Sequence, residues 1–505
     1  MKRLHTQQEA AQWLHSRVRG VLRTDSRSVQ VGDGFVAWPG GVTDGRAYVA
    51  QALQQGASAC LVEAKGVDQF DWSTSDDPAI AVYDGLKAAS GPIAAAYYEQ
   101  PSQALNMVAI TGTNGKTSTA WWLAHALGQL GQRCAMVGTL GVGEVDALEV
   151  TGMTTPDPVL LQARLRDMVN AGVNACAVEA SSIGLAEHRL DGTQVRVAMF
   201  TNFTQDHLDY HGDMASYWLA KSTLFGWTGL QAAVVNVDDA QGALLATQLQ
   251  EAGSLSVWTV SCDASIVSNL TALPAKHLQA CNITHGHLGL SFDVVEGLDS
   301  HHLDTGLVGH YNISNVLGVL ACLRAMGHSL ADAVQACAHL PAVPGRMQAL
   351  TADGAPLVVV DYAHTPDAVA QAVQALLPLA KSRGGDVTCV LGCGGDRDEA
   401  KRPLMAAAAE QWAQHVVLTS DNPRSENPQT ILNSMLTGLQ RTQSATVIVD
   451  RAQAIAHAVA NAQPADVVLI AGKGHEDYQE VMGVKHPFSD VAHAKAALAQ
   501  RSVHV

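Results

Sequence analysis

The chain has 505 residues, which is too long for one hydrophobic core and suggests about three domains. Its composition, 47% hydrophobic and 15% charged, is that of a folded globular protein and argues against a disordered or fibrous one. The formal net charge of −16 argues against a general affinity for nucleic acid or for anionic membranes.

The cysteines and the N-terminal sequence favour a cytoplasmic protein. No two of the nine cysteines form a CxxC pair, so neither a zinc site nor a disulfide framework is indicated. The N-terminal sequence lacks the pattern of a signal peptide, and no run of about 18 apolar residues predicts a membrane-spanning helix. We therefore expect a soluble cytoplasmic monomer whose partners are small molecules, with no nucleic acid and no membrane insertion.

Residues 1–97 predict a small α/β domain, with strand-like segments at 34–38, 59–63 and 79–83 around a helical segment at 48–56. Residues 98–340 and 341–505 predict two further domains, in which apolar strands alternate with helices. Their predicted strands lie at 107–111, 134–139, 175–180, 197–202, 232–237, 357–363, 387–392, 415–420, 446–450 and 466–472. The alternation predicts an α/β fold with a central P-loop-type parallel sheet and a C-terminal Rossmann-like open sheet.

A glycine-rich turn follows the strand at 107–111 and predicts a phosphate-binding loop. The loop and the start of the next helix comprise Gly112, Thr113, Asn114, Gly115, Lys116, Thr117 and Ser118. Backbone N–H groups of such a turn approach phosphate oxygens, while Lys116 can reach the β- and γ-phosphates and Thr117 can ligate Mg²⁺. Ile110 stands where the generic motif has its first glycine, so this loop is a shortened variant. We predict ATP binding at the carboxyl end of this strand.

A dense group of carboxylates and imidazoles follows the strand at 197–202. It comprises Asp206, His207, Asp209 and His211, with Lys221 on a predicted helix further on. Such a group is typical either of metal or phosphate chemistry or of a solvated loop, and the residues alone leave both interpretations open. Glu179 ends the strand at 175–180 and is the expected partner of Thr117 around Mg²⁺, because this ion prefers oxygen ligands. A glutamate that caps a turn is the alternative.

Motifs spread over the whole chain resemble those of the Mur ligase family and follow in the family's order. They are GTNGKT at 112–117, ASSIGLAEHRL at 180–190, TNFTQDHLDYHG at 201–212, GHYNISN at 309–315, VPGRMQ at 343–348, VDYAHTPD at 360–367, LGCGGDRDEAKRPLM at 391–405, DNPRSENP at 421–428 and AGKGHEDYQ at 471–479. The set is most similar to the branch that adds meso-2,6-diaminopimelate to UDP-N-acetylmuramoyl-L-Ala-D-Glu, hereafter the UDP-MurNAc dipeptide. The resemblance implies an ATP-dependent ligase of peptidoglycan precursor synthesis that forms an acyl-phosphate intermediate.

The resemblance also implies roles for individual residues. The catalytic residues would be Lys116, Glu179, His207 and Lys221. In the family the lysine matching Lys221 carries a CO₂-derived carbamate, which is a carboxylate equivalent. With Thr117, Glu179 and His207 it would hold Mg²⁺, whereas an ammonium cannot. Asn315 and Arg346 are expected to contact ATP.

The UDP-MurNAc dipeptide is expected to bind a set of residues from the first two domains. They are Ser26, Gly41, Val42, Thr43, Thr154, Thr155, Ser181, Glu187 and Arg189. This chain departs from the family at two positions, because glutamine is common where Glu187 stands and histidine is common where Ile183 stands. As isolated residues, serine and threonine in turns are usually caps, so the resemblance carries this assignment.

Diaminopimelate is expected to bind the last domain. The expected contacts are Arg397, Asp421, Asn422, Pro423, Arg424, Gly472 and Glu476. Arg424 would pair with the carboxylate on the distal stereocentre, because the planar guanidinium group binds a carboxylate through two parallel hydrogen bonds. Glu476 would meet the distal ammonium.

Two other functions compete with this interpretation. A neighbouring ligase, either lysine-adding or a folate polyglutamate synthetase, is disfavoured by Arg424 and by the N-terminal sugar-nucleotide domain. A nucleotide-gated binding protein would use the loop as a switch without ligation. The two functions are distinguished by phosphate release, which requires both the dipeptide and an amino acid in a ligase but not in such a binding protein.

Overall fold

The computed structural model describes residues 1–41, 43–74, 77–263, 276–285, 289–441 and 445–502. The chain divides into two compact units, residues 1–278 with 318–333, and residues 279–317 with 334–505. Each unit has helices on mainly parallel sheets, so the predicted α/β class is confirmed. The division into three domains at residues 97 and 340 stays a prediction. Within the described ranges no helix is both long and apolar enough to cross a bilayer.

The first 97 residues of unit one form a small parallel sheet. Its elements are β1 (Lys2–Leu4), α1 (Gln7–His15), β2 (Leu22–Arg23), β3 (Gly34–Ala37), α2 (Val49–Gln54), β4 (Ala59–Glu63), β5 (Ile80–Tyr83) and α3 (Leu86–Tyr97). The strand order is β1-β5-β4-β3-β2, and every pair is parallel. Successive side chains of a strand point to opposite faces: Leu61 packs in one hydrophobic cluster, and Cys60 and Val62 pack in the other. Burial on both faces explains why these strands are continuously apolar.

The rest of unit one carries the large sheet predicted for the nucleotide-binding region. Its elements are β6 (Asn106–Thr111), α4 (Lys116–Gln129), β7 (Cys134–Gly138), β8 (Gly141–Glu144), α5 (Pro158–Asn170), β9 (Ala175–Glu179), α6 (Ser182–Ala186), β10 (Val197–Phe200), α7 (Leu208–His211), α8 (Met214–Ser222), β11 (Ala232–Asn236), α9 (Ala240–Ala252) and β12 (Ser256–Ser261). The order is β12-β11-β10-β6-β9-β7-β8, parallel except for the last pair. The segments that follow β6, β9, β7 and β10 therefore meet at one edge.

Unit two contains the second open sheet. The elements after β12 are β13 (His277–His285), β14 (Leu290–Glu296), β15 (Asp299–Asp304), α10 (Tyr311–Ala325), α11 (Leu330–Cys337), β16 (Gln348–Leu350), β17 (Leu357–Asp361), α12 (Pro366–Arg383), β18 (Val387–Leu391), α13 (Lys401–Trp412), β19 (His415–Leu418), α14 (Pro428–Leu436), β20 (Thr446–Val447), α15 (Arg451–Asn461), β21 (Val467–Ala471), β22 (Tyr478–Val481), β23 (Val484–Pro487) and α16 (Asp490–Ser502). The sheet runs β16-β17-β21-β18-β19-β20, with only β16 antiparallel to its neighbour. The loops after β17, β21, β18 and β19 share one edge.

The structure differs from the predicted elements in several places, and the sequence prediction did not include β1, β2, β8, β16 or the antiparallel strands β13–β15. The strand predicted at 446–450 extends only over Thr446–Val447. The antiparallel hairpin of β22 and β23 was not predicted, because its residues are polar and half-exposed or exposed and lack the alternation of a half-buried strand.

Candidate active site

The turn between β6 and α4 has the backbone geometry of a phosphate-binding loop. Gly112 and Gly115 have φ angles of +142° and +87°, which other residues rarely adopt. A Cβ atom on Gly112 would lie 1.9 Å from the hydroxyl oxygen of Thr201. Glycine is therefore required at 112 both by conformation and by the close approach of the neighbouring segment.

Two residues after β10 hold this loop and were not singled out from the sequence. Thr201 donates a hydrogen bond from its hydroxyl to the Asn114 carbonyl at 2.6 Å. Asn202 accepts a hydrogen bond from the Asn114 backbone N–H at 2.9 Å through its side-chain oxygen. The signal was available, since polar residues directly after a strand adjacent to the loop strand lie at the same sheet edge.

Two lysine side chains converge on the carbonyl oxygen of Gly112. Lys116 Nζ donates to it at 2.9 Å and to the Thr113 carbonyl at 2.8 Å, and Lys221 Nζ donates to it at 2.7 Å. Lys221 is 1% exposed and its ammonium also lies 4.3 Å from the centre of the Tyr217 ring. Burial, and then the charge of Lys116, lower the pKa of Lys221 to about 6. The structure thus brings together two of the predicted catalytic residues and favours a neutral amine on Lys221.

The buried carboxylate of Glu179 lies beside the same loop. It accepts hydrogen bonds from the Thr117 hydroxyl at 2.9 Å and from the Thr139 backbone N–H at 2.8 Å. A Cβ atom at Gly138 would lie 2.1 Å from this carboxylate, so a side chain at position 138 would clash with Glu179. Thr117 and Glu179 are adjacent, as a shared ion requires, and their role as ligands stays a prediction. Thr139 was not predicted, although it directly follows an apolar strand.

The central residues predicted for the UDP-MurNAc dipeptide are connected to Glu179 by hydrogen bonds. The Thr139 and Thr154 hydroxyl oxygens are 3.0 Å apart. The Thr155 hydroxyl donates to the Glu179 carbonyl at 2.7 Å and lies 3.0 Å from the Ser181 hydroxyl. Arg189 donates to the Thr155 carbonyl at 3.0 Å. The predicted dipeptide residues and the predicted metal ligand therefore form one polar patch.

Three further predicted dipeptide residues, Ser26, Gly41 and Thr43, lie outside the strands of the N-terminal region, and Glu187 follows α6. Ser26 is buried at the start of a short 3₁₀ turn, Ser26–Ser28. Gly41 and Thr43 are exposed, and the Gly40 N–H donates to the Thr43 carbonyl at 2.9 Å. Val42 lies outside the described residues. Binding at these positions stays a prediction.

The histidines after β10 lie next to the lysine helix α8. His207 has a φ of +50°, is half-exposed, and lies 3.5 Å from the Asp206 carboxylate. His211 Nε2 lies 3.0 Å from the Ser182 hydroxyl, and burial together with the charges of His207 and Lys221 lowers its pKa. Within the described ranges, no cluster of three or more His, Cys, Asp or Glu side chains is arranged to hold a metal ion. The predicted Mg²⁺ set is different in kind, because it includes a threonine and a modified lysine.

Two residues predicted to contact ATP lie in unit two. Asn315 is buried and donates through its side-chain nitrogen to Asn312 at 3.0 Å. The Arg346 guanidinium lies 4.6 Å from the centre of the Tyr362 ring. Arg346 Nε is buried and, among the residues that the structure describes, has no hydrogen-bond partner. An unsatisfied buried donor is costly, which is consistent with a ligand that completes this site.

The loops after β19 and β21 bring the predicted diaminopimelate residues together. The Asn422 side chain donates to the Glu476 carboxylate at 2.8 Å and accepts from Lys473 at 3.0 Å. Lys473 is buried and also donates to Glu476 at 2.9 Å. A Cβ atom on Gly472 would lie 2.6 Å from the Asp421 carboxylate, so these loops are in close contact. Lys473 was not predicted, although it lies inside the AGKGHEDYQ motif.

Arg424 is held in one orientation at the same sheet edge. It has a φ of +52°, donates from Nη1 to the Gly395 carbonyl at 2.7 Å, and has its Nε 3.6 Å from the Glu480 carboxylate. A Cβ atom on Gly394 would meet Arg424 Nη1 at 2.9 Å and the Arg397 side chain at 3.9 Å. Both predicted arginines therefore approach one glycine-rich loop, with Arg397 exposed. Pro423 precedes Arg424 and is buried.

A fully buried ion pair lies beneath these loops. Arg451 donates from Nε and Nη2 to the Asp490 carboxylate, both at 2.7 Å, and the two side chains are 0% exposed. Arg451 also donates to the Ala471 carbonyl at 2.9 Å and to the Ser420 carbonyl at 3.4 Å. One guanidinium thus joins the ends of β21 and β19 just before the predicted amino-acid site.

Comparison with known proteins gives matches over nearly the whole chain. The Mur ligase middle domain matches residues 110–323, and the Mur ligase glutamate ligase domain matches residues 345–474. The UDP-N-acetylmuramoyl-L-alanyl-D-glutamate--2,6-diaminopimelate ligase of Acidovorax sp. (strain JS42) is 57% identical over 505 residues, covering 99% of this chain and 98% of that protein. The ligase of the same name from Janthinobacterium sp. (strain Marseille) is 47% identical over 496 residues, covering 97% and 96%. A solved structure bearing this ligase name is 34% identical with a TM-score of 0.67 and covers 95% of each chain.

Proposed function

Because the chain belongs to the Mur ligase family, we propose that it joins meso-2,6-diaminopimelate to the UDP-MurNAc dipeptide at the expense of ATP. In this reaction the γ-carboxylate of the terminal D-glutamate attacks the γ-phosphorus of ATP, giving an acyl phosphate and ADP. The diaminopimelate amine then attacks the acyl carbon, and phosphate leaves as the amide forms. The amine loses one proton in this second step.

The observation that carries the proposal is the pair of lysines on the Gly112 carbonyl beside the buried Glu179. Lys116 donates hydrogen bonds to two backbone carbonyls of the loop at which the nucleotide phosphates are expected. Its charge would offset the repulsion between the incoming carboxylate and the γ-phosphate. The Thr117 hydroxyl is fixed by Glu179 at 2.9 Å and would orient a phosphate-bound ion.

We propose that Lys221 acts as a carbamate. The reaction requires the neutral amine, which attacks CO₂ and releases one proton, and the pKa of about 6 supports this form at neutral pH. Conversion of this buried amine into an anion fits the donor set, since Glu179, Thr117 and His207 supply the other expected ligands of Mg²⁺. When bound, Mg²⁺ would stabilise charge on the transferring phosphoryl group. Lys116 and the backbone N–H groups of the loop would hold the phosphates.

Selection of the amino acid is assigned to the loops of unit two. Arg424 is oriented by the Gly395 carbonyl, so that its guanidinium would bind the distal carboxylate bidentately. Asn422 and Lys473 hold the Glu476 carboxylate, which would meet the distal ammonium. Lysine lacks the distal carboxylate, so the arginine would distinguish the two amino acids.

The test is phosphate release from ATP with the UDP-MurNAc dipeptide and meso-diaminopimelate, L-lysine or no amino acid, with mass spectrometry of the product. We expect phosphate release and a tripeptide product only with diaminopimelate. Ligation of lysine instead would transfer the chain to the lysine-adding ligases. Absence of product with either amino acid would leave a nucleotide-binding protein and overturn the proposal.

A further inference from the structure

An ion pair joins the N-terminal sheet to the predicted dipeptide segment within unit one. Lys87, on α3, lies 2.7 Å from the Glu187 carboxylate, just after α6. The side chains are 38% and 27% exposed, so water can reach both. Glu187 also accepts a hydrogen bond of 2.5 Å from the Tyr210 hydroxyl on α7. One carboxylate thus connects three segments that are distant in sequence.

Close backbone packing fixes the distance between Lys87 and Glu187. Gly91 lies one helical turn after Lys87, and a Cβ atom there would be 2.1 Å from the Asp191 carbonyl. A Cβ atom on Gly192 would be 2.7 Å from the backbone nitrogen of Pro92. Because α3 packs directly on the backbone of residues 191–192, the position of the Lys87 backbone relative to Glu187 is fixed by this packing.

Glu187 is one of the residues predicted to bind the UDP-MurNAc dipeptide. It follows Ser181 by six residues and precedes Arg189 by two, and both belong to the hydrogen-bonded network around Thr155. The dipeptide substrate carries a diphosphate and carboxylates and is strongly anionic. An unpaired carboxylate among these residues would repel it, and the effective charge of Glu187 therefore matters for binding.

We propose that Lys87 is a positioning residue of the sugar-nucleotide site that acts by neutralising Glu187, so that this site accepts an anionic substrate. This inference rests on the proposed function. It assigns a different role to each member of the pair: the lysine is needed only because the glutamate is present. A simple structural bridge would require both members equally.

The experiment compares wild type with Lys87→Ala, Glu187→Gln and the double variant in steady-state kinetics. We expect Lys87→Ala to raise the KM for the UDP-MurNAc dipeptide about fivefold, the upper range for a partly exposed pair. Glu187→Gln removes the charge together with the need for its partner, so adding Lys87→Ala to that variant should not raise the KM further. The double variant should return to the Glu187→Gln value. The KM values for ATP and diaminopimelate should not change.

The matched control is Lys2→Ala, which breaks an exposed ion pair with Glu9 elsewhere on the N-terminal sheet and should leave every KM unchanged. A double variant as poor as Lys87→Ala, or two equally impaired single variants, would overturn the inference. Calorimetric titration of the same proteins with the UDP-MurNAc dipeptide separates this outcome from failure of the proposed function. If wild type binds the nucleotide but makes no tripeptide, the proposed reaction fails while the order of affinities still decides the role of Lys87.

Discussion

The two predicted ligand regions hold their charged groups in opposite ways. At the phosphate-binding loop, Lys116 is held by the Gly112 and Thr113 carbonyl oxygens. At the loops of unit two, Lys473 contacts the Glu476 carboxylate at 2.9 Å and Arg424 lies 3.6 Å from Glu480. The first region presents a cation held by neutral carbonyl groups, whereas the second presents cations beside carboxylates.

This difference matches the charge of the proposed ligands. A nucleotide triphosphate is a concentrated anion, and a cation held on carbonyl oxygens keeps its full charge for it. Diaminopimelate is a zwitterion with equal numbers of carboxylates and ammonium groups at neutral pH. A region in which both signs are placed a few ångströms apart can bind both of its ends. Variants that alter one region should therefore change the use of one substrate.

The largest effect is expected for Lys221→Met, which keeps the length of the side chain but can neither be protonated nor react with CO₂. Loss of the proposed Mg²⁺ ligand should lower kcat about a thousandfold, or about 4 kcal/mol of transition-state stabilisation. The measurement is phosphate release at saturating substrates. Lys381→Met, at an exposed helical lysine of unit two, is the control and should keep wild-type activity. Activity within tenfold of wild type for Lys221→Met would remove the residue from the mechanism.

The next effect is on the stability of unit two. Arg451→Met leaves the Asp490 carboxylate buried without its partner, which should lower the free energy of unfolding by about 3 kcal/mol. Chemical denaturation measures this loss. Arg451→Met with Asp490→Leu removes both charges and should regain much of it. A single variant as stable as wild type would mean that the pair does not anchor β19 and β21.

Arg424→Ala should lower kcat/KM for diaminopimelate about a hundredfold, because a bidentate charge pair in the site is lost. The KM for ATP should stay within about twofold, since the two regions hold different ligands. Arg424→Lys is the informative companion, because an ammonium cannot reproduce the planar two-bond contact and should recover little. Equal impairment toward ATP and diaminopimelate would show that Arg424 maintains the loop rather than selecting the amino acid.

The sequence predicted the fold class and most strands because continuous apolar runs alternate with helical segments. It also predicted that Thr117 and Glu179 would be neighbours, because Mg²⁺ at the nucleotide phosphates prefers oxygen ligands. The structure shows that the paired strands β6 and β9 bring them together. The sequence did not predict Thr201, Asn202 or Lys473, whose roles depend on contacts between segments distant in the chain. Likewise, the sequence showed that Glu187 replaces a glutamine common in the family. It did not show the partner, because Lys87 lies a hundred residues earlier and is brought to Glu187 only by helix packing.

The smallest effect concerns the dependence of stability on pH and tests why Lys221 is suited to its role. Burial lowers the pKa of its amine from the usual 10.5 to about 6 in the folded protein. Between these values the unfolded chain binds a proton at this lysine and the folded chain does not, so the free energy of unfolding rises with pH across this window. Relative to Lys221→Met, wild type should therefore gain about 1 kcal/mol per pH unit between pH 7 and 9, in buffer depleted of CO₂. A difference that does not vary with pH would mean that the amine stays protonated when folded. The folded protein would then not supply the neutral amine that carbamate formation requires.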